Sequence, residues 1–291
     1  MAARKTYSLR WGTHRLDMGE KTLVMGVINI TPDSFSDGGK FFAGDRAIAQ
    51  GEKLVREGAH IIDIGGESTR PFSEGVSVDE ELRRVIPVIE TLAGRLSVPV
   101  SIDTTKSEVA RQALQAGASM LNDISALRND PEMARVAAEF AVPVIVMHML
   151  GSPKTMQVSP TYDDVVADCV DFLQQCVQQA VARGLDRSQL IVDPGIGFGK
   201  TFEHNLTLVQ RLSEFQRLDL PILVGTSRKA FIRDLLKSGS DQAPHPQDPI
   251  VETGSQAAVG AAAMNGAHIV RVHDVANACA TLKIVDAIIN A

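Results

Sequence analysis

The chain alternates short, nearly continuous apolar runs with longer stretches whose apolar positions recur at helical spacing. Runs such as Ile61-Ile62 and Val144-Ile145-Val146 are typical of parallel strands that are buried on both faces. The predicted strands are Thr22–Ile30, His60–Ile64, Pro99–Asp103, Ser119–Ile124, Pro143–His148, Gln189–Asp193, Pro221–Gly225 and His268–Val272. The predicted helices are Gly44–Glu57, Val78–Leu92, Lys106–Ala116, Pro131–Phe140, Asp163–Arg183, Glu203–Phe215, Ser227–Leu236, Val251–Asn265 and Val275–Ile289.

Strict alternation of strands and helices predicts a parallel sheet and an α/β fold. Eight such units in a chain of 291 residues predict a single (β/α)8 TIM barrel. An open, doubly wound sheet is the alternative. Residues 1–21 are predicted to form a short N-terminal extension, with a hairpin as its candidate structure, and residues 22–291 to form the barrel.

Composition narrows the class of protein. The apolar fraction of 44% is enough for a folded core, and the net charge of −6 argues against a nucleic-acid-binding face. No apolar run reaches the roughly 18 residues of a membrane span, and no apolar signal core follows the first residues. Three cysteines without a C-x-x-C pair fit a reducing compartment. The sequence therefore predicts a cytoplasmic protein with neither a membrane nor a nucleic-acid partner.

Polar side chains stand at the carboxyl ends of nearly all the predicted strands. In (β/α)8 barrels this end carries the chemistry, so their convergence predicts a ligand site. The residues are Asn29, Asp63, Glu67, Asp103, Asn122, Asp123, Met147, His148, Asp193, Thr226, Lys229, Arg271 and His273. For Asp63 and Asp123, capping of the next loop is an equally good interpretation.

The residue types at this end indicate what kind of ligand they would hold. Three carboxylates that are not clustered for a metal, Asp63, Asp103 and Asp193, are expected to converge with Asn122, Lys229 and Arg271. Such carboxylates suit the N–H donors of a flat ring such as a 2-amino-4-oxopyrimidine, and Lys229 suits its carbonyl group. Thr69-Arg70, with Arg271 and His273, would form an anion clamp suited to phosphate. We therefore predict a ligand with a planar, donor-rich end and an anionic end.

The segment Pro194–Thr201 (PGIGFGKT) superficially resembles a phosphate-binding P-loop. Pro194 occupies the position of the first glycine that this motif requires, and the segment follows the sixth predicted strand. We favour the interpretation that the glycines let the backbone approach a flat ligand, with Phe198 as a packing face.

Several longer segments together resemble the dihydropteroate synthase family of the folate pathway, the target of sulfonamides. They are Met25–Gly39 (MGVINITPDSFSDGG), Asp63–Pro71 (DIGGESTRP), Ser101–Asp103 (SID), Leu121–Ile124 (LNDI), Val192–Lys200 (VDPGIGFGK), Ser227–Lys229 (SRK) and Arg271–Asp274 (RVHD). The order and spacing of these segments extend the resemblance from Thr22 to the end of the chain.

The resemblance implies a transferase with a (β/α)8 barrel that binds Mg²⁺ and forms a homodimer. The implied reaction joins 6-hydroxymethyl-7,8-dihydropterin diphosphate to p-aminobenzoate and yields 7,8-dihydropteroate and pyrophosphate. Early departure of pyrophosphate would leave a cationic pterin methylene group for the aniline nitrogen. The residues implied as catalytic are Asp103, Lys229, Arg271 and His273.

The resemblance also assigns roles residue by residue. The implied pterin-binding residues are Asp103, Asn122, Met147, Asp193, Phe198, Gly225 and Lys229. The implied pyrophosphate-binding residues are Thr69, Arg70, Arg271 and His273, and the implied Mg²⁺ ligand is Asn29. The implied p-aminobenzoate loops contain Asp33, Phe35, Ser36, Pro71 and Phe72.

The chain departs from the family pattern at two positions. Ala230 follows Lys229 where the family usually has a serine whose hydroxyl group helps to hold the p-aminobenzoate carboxylate, and Phe72 stands where the family usually has a glycine. Two other functions stay open, and the departures support only the first. One is a pterin-binding paralogue that is non-catalytic or uses another acceptor; the other is a methyltetrahydrofolate–corrinoid methyltransferase, which the anion clamp argues against.

Both departures affect the second-substrate half of the implied site, so we predict an effect on sulfonamides. Replacing Ala230 with Ser and Phe72 with Gly should lower the inhibition constants of sulfonamides, because a hydroxyl group is restored and a bulky ring is removed. Inhibition constants and the KM for p-aminobenzoate, measured for both single variants and the double variant, check this. Constants that stay unchanged for both inhibitor and substrate would refute it.

Overall fold

The structure is a computed structural model and describes residues 4–31, 40–69, 73–237 and 242–291. Its barrel strands are β3 (Leu23–Asn29), β4 (Ile61–Gly65), β5 (Val100–Asp103), β6 (Met120–Asp123), β7 (Val144–Met147), β8 (Leu190–Asp193), β9 (Leu223–Val224) and β10 (Ile269–Val272). Its α-helices are α1 (Lys40–Arg56), α2 (Val78–Arg95), α3 (Ser107–Gln115), α4 (Met133–Phe140), α5 (Val165–Ala182), α6 (Phe202–Gln210), α7 (Ala230–Leu235), α8 (Pro249–Met264) and α9 (Val275–Ile289).

The eight strands form one parallel sheet in the order β8-β7-β6-β5-β4-β3-β10-β9. A parallel bridge between Val192 of β8 and Ile222, just before β9, joins the two ends of this series. The sheet therefore closes on itself, which confirms the predicted (β/α)8 barrel and excludes the open, doubly wound alternative. Strands such as β4 and β7 are buried along their whole length, as expected where helices cover the outside of a parallel sheet.

An antiparallel hairpin precedes the barrel, with strands β1 (Tyr7–Trp11) and β2 (His14–Met18). Alternate side chains of the hairpin are buried with the barrel core, namely Leu9, Trp11, Leu16 and Met18. The chain before it is attached by Arg4, which donates to the carbonyl oxygen of Ala267 over 2.8 Å and to Asp286 over 2.7 Å. The Ala267 carbonyl lies next to the amino end of β10, so these contacts lie at the barrel end opposite the predicted ligand site.

In two places, local backbone that is not α-helical shortens a helix that the sequence pattern predicts. The predicted helix Glu203–Phe215 divides into α6 and a 3-10 segment, Leu212–Leu218, with the break at Arg211. The predicted helix Ser227–Leu236 is reduced to α7, which begins at Ala230. The helix cannot begin earlier because Arg228 has a left-handed φ of 61°, and the Arg228 N–H donates to Ser255 Oγ. Within the described ranges, no helix is long and apolar enough to cross a membrane.

Parallel closure brings the carboxyl ends of all eight strands to one end of the barrel. Asn29, Asp103, Met147 and Asp193 are the last residues of β3, β5, β7 and β8. Their side chains are therefore fixed by strand backbone rather than by loop conformation, and this end of the barrel is where a site can be built.

Candidate active site

An arginine that bridges two carboxylates lies at the centre of this end. Arg271 of β10 donates from Nε to Asp63 Oδ2 and from Nη2 to Asp103 Oδ2, each over 2.7 Å. Asp63 is fully buried and Asp103 nearly so, and a buried carboxylate without a partner is costly. The pairing settles the interpretation of Asp63, which belongs to the polar cluster and does not cap a loop.

Asp63 also fixes the orientation of a neighbouring amide. Asn122 Nδ2 donates to Asp63 Oδ2 over 3.1 Å, and the same oxygen accepts from Arg271 Nε. The amino group of Asn122 must therefore face Asp63, which leaves Asn122 Oδ1 as the acceptor that this side chain can offer elsewhere.

A second part of the cluster forms at β8 and at the start of α7. Asp193 Oδ1 accepts from the Gly195 N–H over 2.7 Å, which orients its carboxyl group. Lys229 is the N-cap residue of α7, and its Nζ lies 4.1 Å from the centroid of the Phe198 ring. An ammonium group at this distance from an aromatic face makes a cation–π contact, so Phe198 and Lys229 position each other.

Apolar side chains beside the polar cluster form a group separate from the main core. It consists of Ile124, Met147, Met149, Met156 and Phe198. Of these, Met147 and Phe198 were expected from the sequence, whereas Ile124, Met149 and Met156 were not. Met156 is almost fully buried although it lies in an irregular connection after β7, where no periodic pattern marks it. Apolar side chains beside hydrogen-bonding groups suit a planar heterocycle.

The remaining expected residues surround this cluster. His273 Nδ1 lies 3.1 Å from Ser227 Oγ, Gly225 follows β9, and Thr69 is a partly exposed residue beyond β4. A Cβ atom at Gly65 would lie 3.6 Å from Asn29 Oδ1 and 3.8 Å from Asp103 Oδ2, so Asn29 and Asp103 flank the same glycine. Arg70, Pro71 and Phe72, like Asp33, Phe35 and Ser36, lie outside the described residues.

Two carboxylates of the predicted set are engaged in other contacts. Asp123 accepts from the N–H groups of Ser125 and Leu127, so it caps the loop after β6. Glu67 pairs with Lys106, whose Nζ also lies 2.6 Å from the fully buried Glu81. Of the carboxylates expected at the strand ends, Asp63, Asp103 and Asp193 form the cluster around Arg271 and Lys229.

Burial shifts the protonation of the cluster towards neutral forms. Burial raises the pKa of Asp103 to about 7 against the opposing charge of Arg271, and nearby Asp63 adds to the rise. Burial also raises the pKa of Asp193 to about 6, although the Gly195 N–H and Lys229 oppose it. The pKa of Lys229 falls to about 8, first through burial and then through the charge of Arg271.

The chain matches the family model described as pterin binding enzyme over residues 25–273. Among curated proteins, dihydropteroate synthase from Synechocystis is 49% identical, with 95% of this chain and 93% of the relative covered. Dihydropteroate synthase from Bacillus subtilis is 46% identical, with coverage of 94% and 91%.

A solved structure of dihydropteroate synthase from Yersinia pestis, in a sulfonamide drug complex, superposes with a TM-score of 0.90 at 44% identity, covering 98% of this chain and 100% of that chain. The Xanthomonas albilineans enzyme with 4-aminobenzoic acid gives 0.89 at 42% identity, covering 98% of each. The chain belongs to the family of pterin-binding enzymes. Within that family it falls among the dihydropteroate synthases, which are transferases.

The shifted pKa values predict a bell-shaped pH dependence of pterin binding. As the pH falls through about 7 and then about 6, Asp103 and Asp193 take up protons and lose acceptor capacity. As the pH rises through about 8, Lys229 loses its charge. Titration calorimetry with 6-hydroxymethyl-7,8-dihydropterin across this range checks the prediction.

A variant of Lys229 tests whether this residue causes the loss of affinity at high pH. Lys229→Met should abolish the loss of affinity above about pH 8. It should keep the loss of affinity at low pH but move it to higher pH, because the Lys229 charge no longer opposes the rise in the pKa of Asp193. An affinity for the pterin that does not change with pH in the wild-type protein would contradict this account of the cluster.

Proposed function

We propose that the chain condenses 6-hydroxymethyl-7,8-dihydropterin diphosphate with p-aminobenzoate, giving 7,8-dihydropteroate and pyrophosphate. The observation that carries the proposal is the cluster at the barrel end, in which Asp63, Asp103, Asn122 and Asp193 are buried and Arg271 and Lys229 are partly exposed. It offers acceptors for a donor-rich ring and cations for an anionic group. The substrates are small molecules.

The pterin ring is proposed to lie between the polar cluster and the apolar walls. Asp103, Asp193 and the free Oδ1 of Asn122 would accept hydrogen bonds from ring N–H groups, and Lys229 would donate to the ring carbonyl oxygen. The methyl group of Met147 and the Phe198 ring would cover the ring faces. Gly225, which has no side chain, would leave room for the edge of the pterin ring.

The diphosphate is proposed to lie on the outer side of Arg271. Its Nε and Nη2 face Asp63 and Asp103, so Nη1 is the guanidinium nitrogen that makes no bond to either carboxylate. Together with Thr69, Arg70 and His273, this edge would bind the leaving group. Arg271 would then connect the two ends of the substrate.

Mg²⁺ is proposed to act with the diphosphate, held on the protein side by the amide oxygen of Asn29. No group of three His, Cys, Asp or Glu side chains that could enclose a metal occurs in the part of the chain that the structure describes. A single oxygen ligand fits Mg²⁺, which keeps several waters and binds mainly through substrate phosphates. When bound, it would supply positive charge to the departing pyrophosphate.

The proposed chemistry breaks the bond between the pterin methylene carbon and the diphosphate oxygen first. The bonding electrons leave with pyrophosphate, whose charge Arg70 and Arg271 stabilise. Asp103 stabilises the positive charge that develops on the pterin. The lone pair of the aniline nitrogen of p-aminobenzoate then forms the bond to the methylene carbon, and the protonated adduct loses its proton to water. Because the electrophile forms first and this adduct is acidic, no strong general base is needed to activate the aniline.

The acceptor is proposed to bind near the segments that contain Asp33, Phe35, Ser36, Pro71 and Phe72. This proposal rests on the sequence resemblance, because all five residues lie outside the described ranges. Ala230, the first residue of α7, is exposed and adjacent to Lys229, which makes it a candidate neighbour of the acceptor.

The chain is further proposed to form a homodimer in the cytoplasm. Ile284 and Ile288 on α9 are 63% and 55% exposed, and their spacing of four residues places them on one face of the helix. Ile250 and Met264 are exposed near the two ends of α8, which packs against α9. Exposed apolar side chains on adjacent helices support an interface. The reducing conditions of the cytoplasm suit the free thiols of Cys169, Cys176 and Cys279.

The function is tested by following pyrophosphate release from the pterin diphosphate with Mg²⁺, with and without p-aminobenzoate, and dihydropteroate by mass. We expect release that depends on p-aminobenzoate and equals the dihydropteroate formed. Tight binding of the pterin diphosphate without condensation would instead support a paralogue that is non-catalytic or uses another acceptor. Failure to bind the diphosphate would refute the proposal.

The dimer is tested by Ile284→Glu, which places a charge in the proposed apolar interface. We expect the dimer dissociation constant to rise at least about tenfold by light scattering or sedimentation. Val181→Glu on α5 is the matched control, since Val181 is also exposed but lies on another helix. A wild-type protein that is monomeric at micromolar concentration would refute the homodimer.

A further inference from the structure

The turn Gly195–Gly199 after β8 follows a path that only glycine takes readily. Gly195, Gly197 and Gly199 have φ values of 70°, 82° and 64°. A Cβ atom at Gly195 would lie 1.9 Å from the carbonyl oxygen of His148, which no packing can accommodate. The turn therefore lies directly against the residue that follows β7, and it carries Phe198 of the proposed pterin site.

Three successive carbonyl oxygens of this turn accept hydrogen bonds from side chains. Gln157 Nε2 donates to the Gly197 oxygen over 2.9 Å, Lys200 Nζ to the Phe198 oxygen over 3.0 Å, and the Tyr162 hydroxyl to the Gly199 oxygen over 2.6 Å. The turn is thus held by side chains as well as by its own backbone. Of these donors, only Lys200 carries a charge.

Lys200 points into the protein and not towards the barrel mouth. Its side chain is almost fully buried, and its Nζ lies 2.8 Å from His148 Nδ1. The His148 ring packs against Phe172 of α5 and against Tyr162, at centroid distances of 4.7 and 5.9 Å. The pair therefore lies between the barrel and α5, behind the turn that carries Phe198.

The proton positions in this pair follow from its chemistry. An ammonium group has no lone pair, so Lys200 donates and His148 Nδ1 must accept, with the imidazole proton on Nε2. Burial, together with the Lys200 charge, lowers the pKa of His148 to about 2 and keeps the ring neutral. Burial lowers the pKa of Lys200 to about 8, which leaves it charged at neutral pH.

We propose that Lys200 is a positioning residue of the pterin site: its ammonium group, held by His148, pins the Phe198 carbonyl and so sets the Phe198 ring beside Lys229. The same turn begins with the Gly195 N–H that orients Asp193, so one buried cation supports a ring contact and a carboxylate. This inference rests on the proposed function. Lys200 belongs to the segment Pro194–Thr201 that superficially resembles a P-loop, and the role proposed for it involves no phosphate.

Binding measurements with three ligands distinguish between the two candidate roles of Lys200, which are holding the turn and binding phosphate. The probes are the pterin diphosphate, 6-hydroxymethyl-7,8-dihydropterin without phosphate, and inorganic pyrophosphate with Mg²⁺. For Lys200→Met, we expect the two pterins to bind about tenfold more weakly, as after loss of one charge-assisted hydrogen bond, and pyrophosphate to bind as in the wild type. Weaker binding of pyrophosphate with unchanged binding of the phosphate-free pterin would show a phosphate ligand and overturn the inference.

Arg4→Met is the matched control for a lost buried cation. Arg4 is also buried and also donates to a backbone carbonyl oxygen and a side chain, but at the opposite end of the barrel. It should lower the melting temperature without changing any of the three affinities. A change in pterin affinity as large as that of Lys200→Met would mean that general destabilisation explains both.

Two variants of His148 test the pair with Lys200 in place. Asn carries an acceptor close to the position of Nδ1, so His148→Asn should keep most of the pterin affinity, whereas His148→Leu should lose it as Lys200→Met does. Nitrogen NMR of the wild-type protein should show an unprotonated, hydrogen-bonded Nδ1 with no titration near neutral pH. A His148 that titrates there, or equal affinities of the two variants, would overturn the inference. A wild-type protein that binds pyrophosphate but neither pterin would refute the proposed function itself.

Discussion

The candidate site depends on one interaction, the bridge from Arg271 to Asp63 and Asp103. Two carboxylates that are almost removed from water share one guanidinium group, and its two bonds of 2.7 Å fix both side chains. Without the arginine, neither carboxylate would have the cation that it contacts, in a medium where an unpaired ion is costly. The orientation of Asn122 follows from the same bridge, because Asp63 accepts from both residues through one oxygen.

The protein does not fully stabilise the charged side chains of the cluster, and for this reason the cluster can gain stability by binding a ligand. Burial raises the pKa values of Asp103 and Asp193 and lowers that of Lys229, so each ion is less stable than it would be in water. A ring that donates to the carboxylates and accepts from the lysine would restore the interactions that burial removed. Charge developing on a bound pterin would be stabilised by Asp103 without prior rearrangement of the protein, since strand β5 already holds that side chain.

Much of this arrangement could be predicted from the sequence because closure of a parallel barrel brings strand ends together whatever the loops do. Asp103, Asn122, Asp193 and Arg271 were identifiable as a group for that reason. The division between Asp63 and Asp123 was not identifiable, since both are carboxylates at strand ends. Their contacts decide it: Asp63 meets Arg271, whereas Asp123 accepts from the backbone of the loop that follows it.

Other features escaped prediction because they depend on non-periodic backbone. Met149 and Met156 lie in an irregular connection, where the spacing of apolar residues does not indicate which side chains face the protein interior. The late start of α7, at Ala230 and not at Ser227, depends on the left-handed φ of Arg228, a conformation that its sequence does not require. The buried position of Lys200 depends on its pairing with His148, which is distant in the sequence.

One part of the proposed site is fixed by strands and the other lies on the connections between them. The two parts differ in which substitutions they tolerate. The proposed pterin ligands Asp103, Asn122 and Asp193 lie on β5, β6 and β8, where a changed side chain would leave a buried partner unsatisfied. Ala230, one of the two departures from the family pattern, is the exposed first residue of the six-residue helix α7, whereas Phe72, the other, lies outside the described residues. Ala230 makes none of the described contacts of Arg271, so substitution there leaves the bridge to Asp63 and Asp103 intact. The physical cost of variation is therefore high at the proposed pterin ligands and low at the start of α7.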